Sequence, residues 1–216
     1  MTPLITIAVA TVCALIFGVR YAGHDTPNTL GAFVKTASAV LLAVYGWQTD
    51  APGLIVFGLA LGSVGDFALA REGERAFLAG MVAFALGHLA YALAFAQVVS
   101  FTPLVVPLLF WPVVALMVGL FVLTALWIAP KAGGLAWPVR AYTLVIAAMA
   151  MAAALLPDGP GHSIIQIGVA GFVASDLILA LRLFIIKNPR IRLFAARLLW
   201  PLYWGGQLLI LLGSYA

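Results

Sequence analysis

Residues 54–70 have the sequence LIVFGLALGSVGDFALA, and residues 164–181 have the sequence IIQIGVAGFVASDLILAL. Each stretch is almost entirely apolar and is close to the roughly 20 residues that a helix needs to cross a bilayer. Each also contains one acidic residue, Asp66 in the first and Asp176 in the second. The two stretches therefore predict membrane-spanning helices that carry a carboxyl group within the apolar phase.

The rest of the chain has a similar composition. Its 216 residues are 65% hydrophobic and 8% charged, and the mean hydropathy is +1.15. This composition excludes a soluble globular protein and predicts an all-α, polytopic membrane protein in which residues 1–216 form one transmembrane domain. The net charge of +4 does not indicate a nucleic-acid partner, because the basic residues lie where membrane topology requires them. The single cysteine, Cys13, excludes an intrachain disulfide and a cysteine metal cluster.

The apolar segments predict eight spans, separated by joints rich in proline and glycine. They lie at about 3–19, 29–47, 53–70, 76–98, 103–128, 137–156, 162–185 and 193–214. Pro107 and Pro112 predict a kink in the fifth span. Of the 11 Lys and Arg residues, all except Lys35 fall at one end of this bundle. By the positive-inside rule that end is cytoplasmic, so both termini are expected on the other side of the cell (inner) membrane.

The two aspartate segments resemble each other. SVGDFALAR and VASDLILALR align at the aspartate, with Leu three residues later and Ala four residues later in both. They occupy the third and seventh predicted spans, which run in the same direction through the membrane. This similarity predicts a bundle built from two parallel repeats of four helices each.

The two aspartates predict acid/base chemistry. An ionised Asp near the centre of a membrane helix costs roughly 2.5–3.5 kcal/mol on insertion scales, which favours a functional role. A carboxyl in an apolar medium also tends to keep its proton at neutral pH. The structural alternative is that Asp66 and Asp176 anchor neighbouring helices by hydrogen bonds.

Further polar side chains fall in the middle to cytoplasmic part of five predicted spans, and with the aspartates they predict one cavity open toward the cytoplasm. These residues are Lys35, Ser63, His88, Tyr91, Ser175, Tyr203 and Gln207. Each also has a structural interpretation. Lys35 would extend to the headgroups, His88 would be a core histidine, and Tyr203 would be an interfacial aromatic residue. The two serines would allow close helix packing.

Tryptophans near the span ends are expected to contact the lipid headgroups, where aromatic rings are enriched. These are Trp47, Trp111, Trp127, Trp137 and Trp200. His24 and His162 are expected in loops, so His88 is the histidine within a predicted span. This excludes an all-histidine zinc site. The chain also lacks a GxSxG elbow, a P-loop and a dinucleotide fingerprint, so we expect neither a metal nor a cofactor.

Four short segments together carry a family resemblance: LGSVGDFAL, FALGHLAY, FVASDLILAL and YWGGQLLI. In this order and spacing the chain resembles the YhhN family of lysoplasmalogenases over most of its length. In that family the lysine of the second span tends to precede a proline, whereas Lys35 precedes Thr36. The resemblance implies a membrane enzyme that hydrolyses the vinyl ether bond of a lysoplasmalogen. The products would be a fatty aldehyde and glycerophosphoethanolamine or glycerophosphocholine.

Vinyl ethers resist base and are opened by acid through an oxocarbenium ion, which needs a proton donor and an anionic group. Two carboxyls in different environments meet that need in glycosidases. The resemblance thus assigns Asp66 and Asp176 as acid and base, in either order. Lys35, with loop arginines, would bind the phosphate of the lysophospholipid substrate. Water and the glycerol would be oriented by His88, Tyr91, Tyr203 and Gln207.

Two other functions remain open at this point. An intramembrane aspartyl protease also uses two membrane aspartates, but its GxGD motif has Ser63 in place of the first glycine here. A proton-coupled transporter could use Asp66 and Asp176 as a relay. The predicted partners are the lysophospholipid and membrane lipids, without nucleic acid, and the oligomeric state is not predicted.

Overall fold

A computed structural model describes residues 1–23, 28–99 and 106–215, and within these ranges the regular structure is entirely helical. His24 and the predicted start of the fifth span at residue 103 lie outside them. The α-helices are α1 (Pro3–Arg20), α2 (Thr29–Gln48), α3 (Gly53–Leu69), α4 (Glu74–Val98), α5 (Phe110–Leu123), α6 (Ala136–Ala154), α7 (Pro160–Phe184) and α8 (Pro189–Gly213).

Local sequence explains several helix starts. Asn28 caps α2, because its side chain accepts a hydrogen bond from the Gly31 amide at 2.9 Å. Asn188 caps α8 in the same way through the Arg190 and Ile191 amides. Gly73 precedes α4 with φ of 102°, a left-handed conformation that a glycine adopts without strain.

The connection between α5 and α6 is interrupted at Gly133, whose φ of 58° and ψ of −125° are not helical, and this residue lies in the joint predicted between the two spans. A π-helical turn at Thr124–Ile128 and a 3₁₀ segment at Ala129–Leu135 join the two helices. Pro112 lies in the first turn of α5, where a missing amide proton costs no helical hydrogen bond. The irregularity lies instead at the π-helical turn, where Arg140 Nη2 donates to the Ala125 carbonyl at 3.1 Å.

The chain has the helices of a multi-pass membrane protein. Among the described residues, α1, α2, α4, α7 and the segment 110–154, which contains the kink at Gly133, are long and apolar enough to cross a membrane. Helix α3 is apolar but has 17 residues, and α8 contains three arginines, a glutamine and two prolines, which lower its mean hydropathy. The prediction of eight spans is therefore supported only in part by length and composition.

Within the described chain, seven helices close into a ring. Helices α1 to α4 pack in sequence, α4 packs on α6, α6 packs on α7, and α7 packs on α8, which returns to α1. Helix α5 lies outside this ring and packs on α6. The two halves of the chain are therefore packed differently, since α1 is in the ring and α5 is not. The predicted four-plus-four repeat stays a prediction.

Helices α7 and α8 form the most extensive helix contact. A Cβ atom added to Gly168 would lie 2.7 Å from the Gly206 carbonyl oxygen, and one added to Gly206 would lie 2.7 Å from the Gly168 carbonyl oxygen. These two glycines let the backbones cross in contact. The close crossing fixes α7 and α8, which carry Asp176 and Tyr203, relative to each other.

Candidate functional site

Asp66 lies inside the ring on α3 and is completely buried. Its Oδ1 lies 2.8 Å from Lys35 Nζ on α2, forming an ion pair. Its Oδ2 accepts a hydrogen bond from the Tyr203 hydroxyl on α8 at 2.8 Å. Helices α2, α3 and α8 thus meet at this carboxyl.

Lys35 is held against aromatic rings. Its Nζ lies 5.9 Å from the ring centres of Phe17 and Trp200 and 5.7 Å from that of Tyr203. These distances allow cation–π attraction. The sequence assigned Lys35 to the substrate phosphate or to the headgroups, whereas the structure directs its ammonium to Asp66.

The prediction that Trp200 belongs to the interfacial belt is wrong, because the structure buries its side chain. Its side chain is 4% exposed, whereas the other four tryptophans of the predicted belt are between 43% and 77% exposed. Its Nε1 donates to the Ala14 carbonyl at 2.9 Å, and its ring packs against Phe17 and Tyr203. Trp200 is therefore part of the wall around Lys35.

Asp176 lies on α7 at the second polar centre. Its Oδ2 is 3.1 Å from His88 Nε2 on α4, and it accepts a hydrogen bond from the Tyr142 hydroxyl on α6 at 3.3 Å. Sequence analysis did not single out Tyr142. A tyrosine in an apolar helix is a common interfacial residue, so its pattern gave little signal.

His88 is oriented by its own helix. Its Nδ1 lies 2.6 Å from the Phe84 carbonyl oxygen, which can only accept a hydrogen bond. Nδ1 therefore carries a proton, and in the neutral ring Nε2 carries none. Because Nε2 faces a carboxyl oxygen, an attractive contact with Asp176 requires one further proton on the pair. The His88–Asp176 pair is thus suited to hold and release a proton.

Both aspartates line one chamber. Its polar wall consists of Lys35, Asp66, Ser175, Asp176, Arg182 and Tyr203. The ring therefore brings together the two residues that the sequence singled out first. Each carboxyl is accompanied by one basic nitrogen and one tyrosine hydroxyl.

Two further cavities share lining residues with the chamber. The first, which we call the vestibule, is lined in part by Lys35, Arg71, Arg182 and Arg192. The second, which we call the apolar arm, is a narrow cleft that runs among α4, α5, α6 and α7. Asp176 lines both the chamber and the apolar arm.

The remaining predicted site residues occupy different positions. Ser175 lines the chamber, and its hydroxyl donates to the Phe172 carbonyl at 2.7 Å. Ser63 is buried and donates to the Ala60 carbonyl at 2.6 Å within its own helix. Its hydroxyl is thereby used for helix packing rather than directed at the chamber.

Tyr91 and Gln207 form a buried pair, in which the Tyr91 hydroxyl donates to Gln207 Oε1 at 3.3 Å. The Phe172 ring lies 6.4 Å from the Tyr91 ring centre and 5.3 Å from that of Tyr203, and the Gln207 side chain also approaches Tyr203. Tyr91 and Gln207 thus lie outside the lining of the chamber and pack against residues around it. His162 is at the start of α7 and donates to the Pro157 carbonyl at 2.8 Å.

Within residues 1–23, 28–99 and 106–215, no three His, Cys, Asp or Glu side chains come close enough together to hold a metal ion. Whether the chemistry needs a metal or a cofactor stays a prediction.

Comparison with known proteins gives two findings. The profile of the YhhN family matches residues 30–214. The lysoplasmalogenase TMEM86B of Rattus norvegicus is 28% identical over 207 residues, which cover 94% of this chain and 80% of the rat protein. No solved structure matches the chain.

Proposed function

The chain belongs to the YhhN family, and we propose that it is a membrane hydrolase of ether lipids that cleaves the vinyl ether bond of a lysoplasmalogen. The products would be a fatty aldehyde and a glycerophosphoethanolamine or glycerophosphocholine. The observation that carries the proposal is the chamber in which two carboxyls face the same space, each with its own basic nitrogen and tyrosine hydroxyl. Vinyl ether hydrolysis needs an acid and an anionic group at the same carbon–carbon double bond.

The three cavities match the parts of such a lipid. The vestibule, with its arginines, suits an anionic phosphodiester headgroup. The apolar arm, walled by residues such as Met81, Leu120 and Ile146, suits a single hydrocarbon chain. A vinyl ether joining the two parts would lie in the chamber between them.

In this proposal Asp66 and Asp176 are the catalytic residues. Lys35 and Tyr203 position Asp66, while His88 and Tyr142 position Asp176. Ser175 lines the chamber beside the bound lipid. The buried Tyr91–Gln207 pair supports Tyr203 through Gln207 and through the neighbouring Phe172 ring, and the Ser63 hydroxyl bonds within α3. We propose that no metal and no cofactor takes part.

We also propose that residues 1–216 form one transmembrane domain of eight spans in the cell (inner) membrane, with both termini on the non-cytoplasmic side. The packing of α8 against α1 supports a single domain. The position of Arg71, Arg182 and Arg192 at the vestibule supports a cytoplasmic opening. The two aspartate helices, α3 and α7, would occupy corresponding places in two four-helix repeats.

The test is to incubate the purified protein with a lysoplasmalogen and measure release of the aldehyde by trapping. The matched control substrate is the saturated alkyl ether of the same chain length and headgroup, which offers no double bond to protonate. We expect aldehyde from the vinyl ether and none from the saturated ether. Absence of aldehyde from the vinyl ether would contradict the proposal and favour a proton-coupled transporter or an intramembrane aspartyl protease.

A further inference from the structure

The two carboxyls differ in which cavity they adjoin. Asp176 lines the chamber and also the apolar arm, whereas Asp66 lines the chamber and is paired with Lys35, which lines the vestibule. A lipid with its chain in the arm and its headgroup in the vestibule therefore passes Asp176 first and Asp66 second, counting from the chain.

This order matters because a vinyl ether is not symmetric. The hydrocarbon chain is attached to the outer carbon of the double bond, and the glycerol is attached through the ether oxygen to the inner carbon. With the chain in the apolar arm, the outer carbon faces Asp176 and the ether oxygen faces Asp66. The outer carbon is the atom that must receive the proton.

The partners of each carboxyl agree with this order. His88 Nδ1 donates to the Phe84 carbonyl, so an attractive contact between Nε2 and Asp176 keeps one transferable proton on the pair. Asp66 is contacted by donors, the Lys35 ammonium and the Tyr203 hydroxyl, which suits an anion. The Asp176–His88 pair is therefore suited to donate a proton, and the Asp66 carboxylate is suited to accept one.

We infer that the Asp176–His88 pair donates the proton to the outer vinyl carbon, and that Asp66 stabilises the resulting cation and takes a proton from the attacking water. The inference rests on the proposed hydrolysis of a lysoplasmalogen. It extends that proposal by giving each carboxyl a separate role.

The steps balance in protons and electrons. The π electrons of the double bond form a C–H bond with the proton of the Asp176–His88 pair, leaving an oxocarbenium ion beside the Asp66 carboxylate. Water adds to the inner carbon, and its proton passes to Asp66, giving a hemiacetal. Asp66 then returns this proton to the leaving glycerol oxygen as the C–O bond breaks. The hemiacetal hydroxyl gives its proton back to the Asp176–His88 pair as the aldehyde forms.

The two roles predict different isotope exchange in D₂O. In Asp66→Asn the proton donor remains, the cation forms more slowly without the carboxylate beside it, and water capture is slowed as well, so the cation that forms loses either a proton or a deuteron and reverts to substrate. We expect deuterium at the outer vinyl carbon of recovered lysoplasmalogen, with aldehyde release reduced at least about a hundredfold. In Asp176→Asn we expect a similar reduction in aldehyde release without deuterium in the recovered substrate.

A milder pair of variants covers the case in which an aspartate variant fails to fold. Tyr203→Phe and Tyr142→Phe each remove one hydroxyl donor, from Asp66 and Asp176 respectively. We expect a loss of activity of about tenfold in each, with exchange increased over wild type in Tyr203→Phe alone. Exchange in the Asp176 or Tyr142 variant instead, or in none of the four, would overturn the assignment. If the wild-type protein itself releases no aldehyde, the proposed function fails as well, which is a distinct result.

Discussion

Lys35 Nζ on α2 lies 2.8 Å from Asp66 Oδ1 on α3, so a basic residue and an acidic residue placed inside predicted membrane spans neutralise each other. Their attraction offsets part of the desolvation free energy that burying either charge alone would cost. The dependence is unequal, because Asp66 is fully buried and needs the Lys35 cation, whereas Lys35 is 20% exposed and can reach water when Asp66 is replaced.

The Lys35–Asp66 ion pair predicts that substitutions at the two positions have non-additive effects on the stability of the protein. Lys35→Met leaves a buried carboxylate without its cation, and breaking such a pair costs roughly 3–5 kcal/mol of stability. We expect a clear fall in the thermal unfolding midpoint of the detergent-solubilised protein. Adding Asp66→Asn to Lys35→Met removes the unpaired charge, so the double variant should be more stable than Lys35→Met alone. Equal or additive losses in the double variant would argue that the two residues do not interact.

The two aspartates are expected to be needed for activity and largely dispensable for folding. Asp66→Asn and Asp176→Asn keep the size of the side chain and remove its ionisation. We expect each to lower kcat at least about a hundredfold, the lower range of general acid–base effects. Expression and size-exclusion profiles should match those of the wild type. Near-normal turnover would remove the residue from the mechanism, and loss of the folded protein would favour a structural anchor.

Trp200 and Trp47 offer a matched comparison of a buried and an exposed tryptophan. Trp200→Phe removes the hydrogen bond to the Ala14 carbonyl, and the net contribution of such a bond is about 0.5–1.5 kcal/mol. Trp47 is 73% exposed, and Trp47→Phe should change stability by less than about 0.5 kcal/mol. Thermal unfolding of both variants measures the difference. A similar effect at both positions would mean that Trp200 is not a specific support of the wall around Lys35.

Topology can be tested independently of activity. Because the Arg and Lys residues other than Lys35 fall at one end of the predicted bundle, both termini are expected on the non-cytoplasmic side. A reporter fused after residue 216 should behave as an exported protein. A fusion within the loop at residues 71–73 should behave as cytoplasmic. The reverse result at the C-terminus would contradict the count of eight spans.

Metal dependence gives the last test. Asp66 is already paired with the Lys35 ammonium, and this positive charge opposes a divalent cation at the same carboxyl. Proton-driven opening of a vinyl ether also contains no step that needs one. We expect the purified enzyme to keep its activity in excess EDTA and elemental analysis to show no stoichiometric metal. Activity that is lost in EDTA and restored by one divalent ion would assign the aspartates as metal ligands.

The sequence was sufficient to find the centre of the candidate site but not its full surroundings. Asp66 and Asp176 stand out because a charge is rare in an apolar helix, and His88 and Tyr203 share their predicted depth. Depth does not say which helices are neighbours. Tyr142 therefore escaped notice, because its contact with Asp176 depends on α6 packing beside α7.

Trp200 and Lys35 show a related limit, because their positions along the helix did not predict where their side chains point. Position near a span end predicted an interfacial tryptophan, and position near the cytoplasmic end predicted a lysine directed at phosphate. Both side chains instead face the inside of the ring, where Trp200 walls the ion pair that Lys35 makes with Asp66. The direction a side chain takes is set by the rotation of its helix, which tertiary packing fixes.

Helix α5 buries little of its own surface, with Met117 as its buried residue, and it packs outside the ring on α6. We expect α5 to separate from the bundle at a lower free energy than α3 or α7, so its amides should exchange with solvent deuterium sooner than theirs. Leu120 and Thr124 from this segment form part of the outer wall of the apolar arm. A small outward movement of α5 would widen the arm for hydrocarbon chains of different bulk and leave Asp66 and Asp176 in place on the ring.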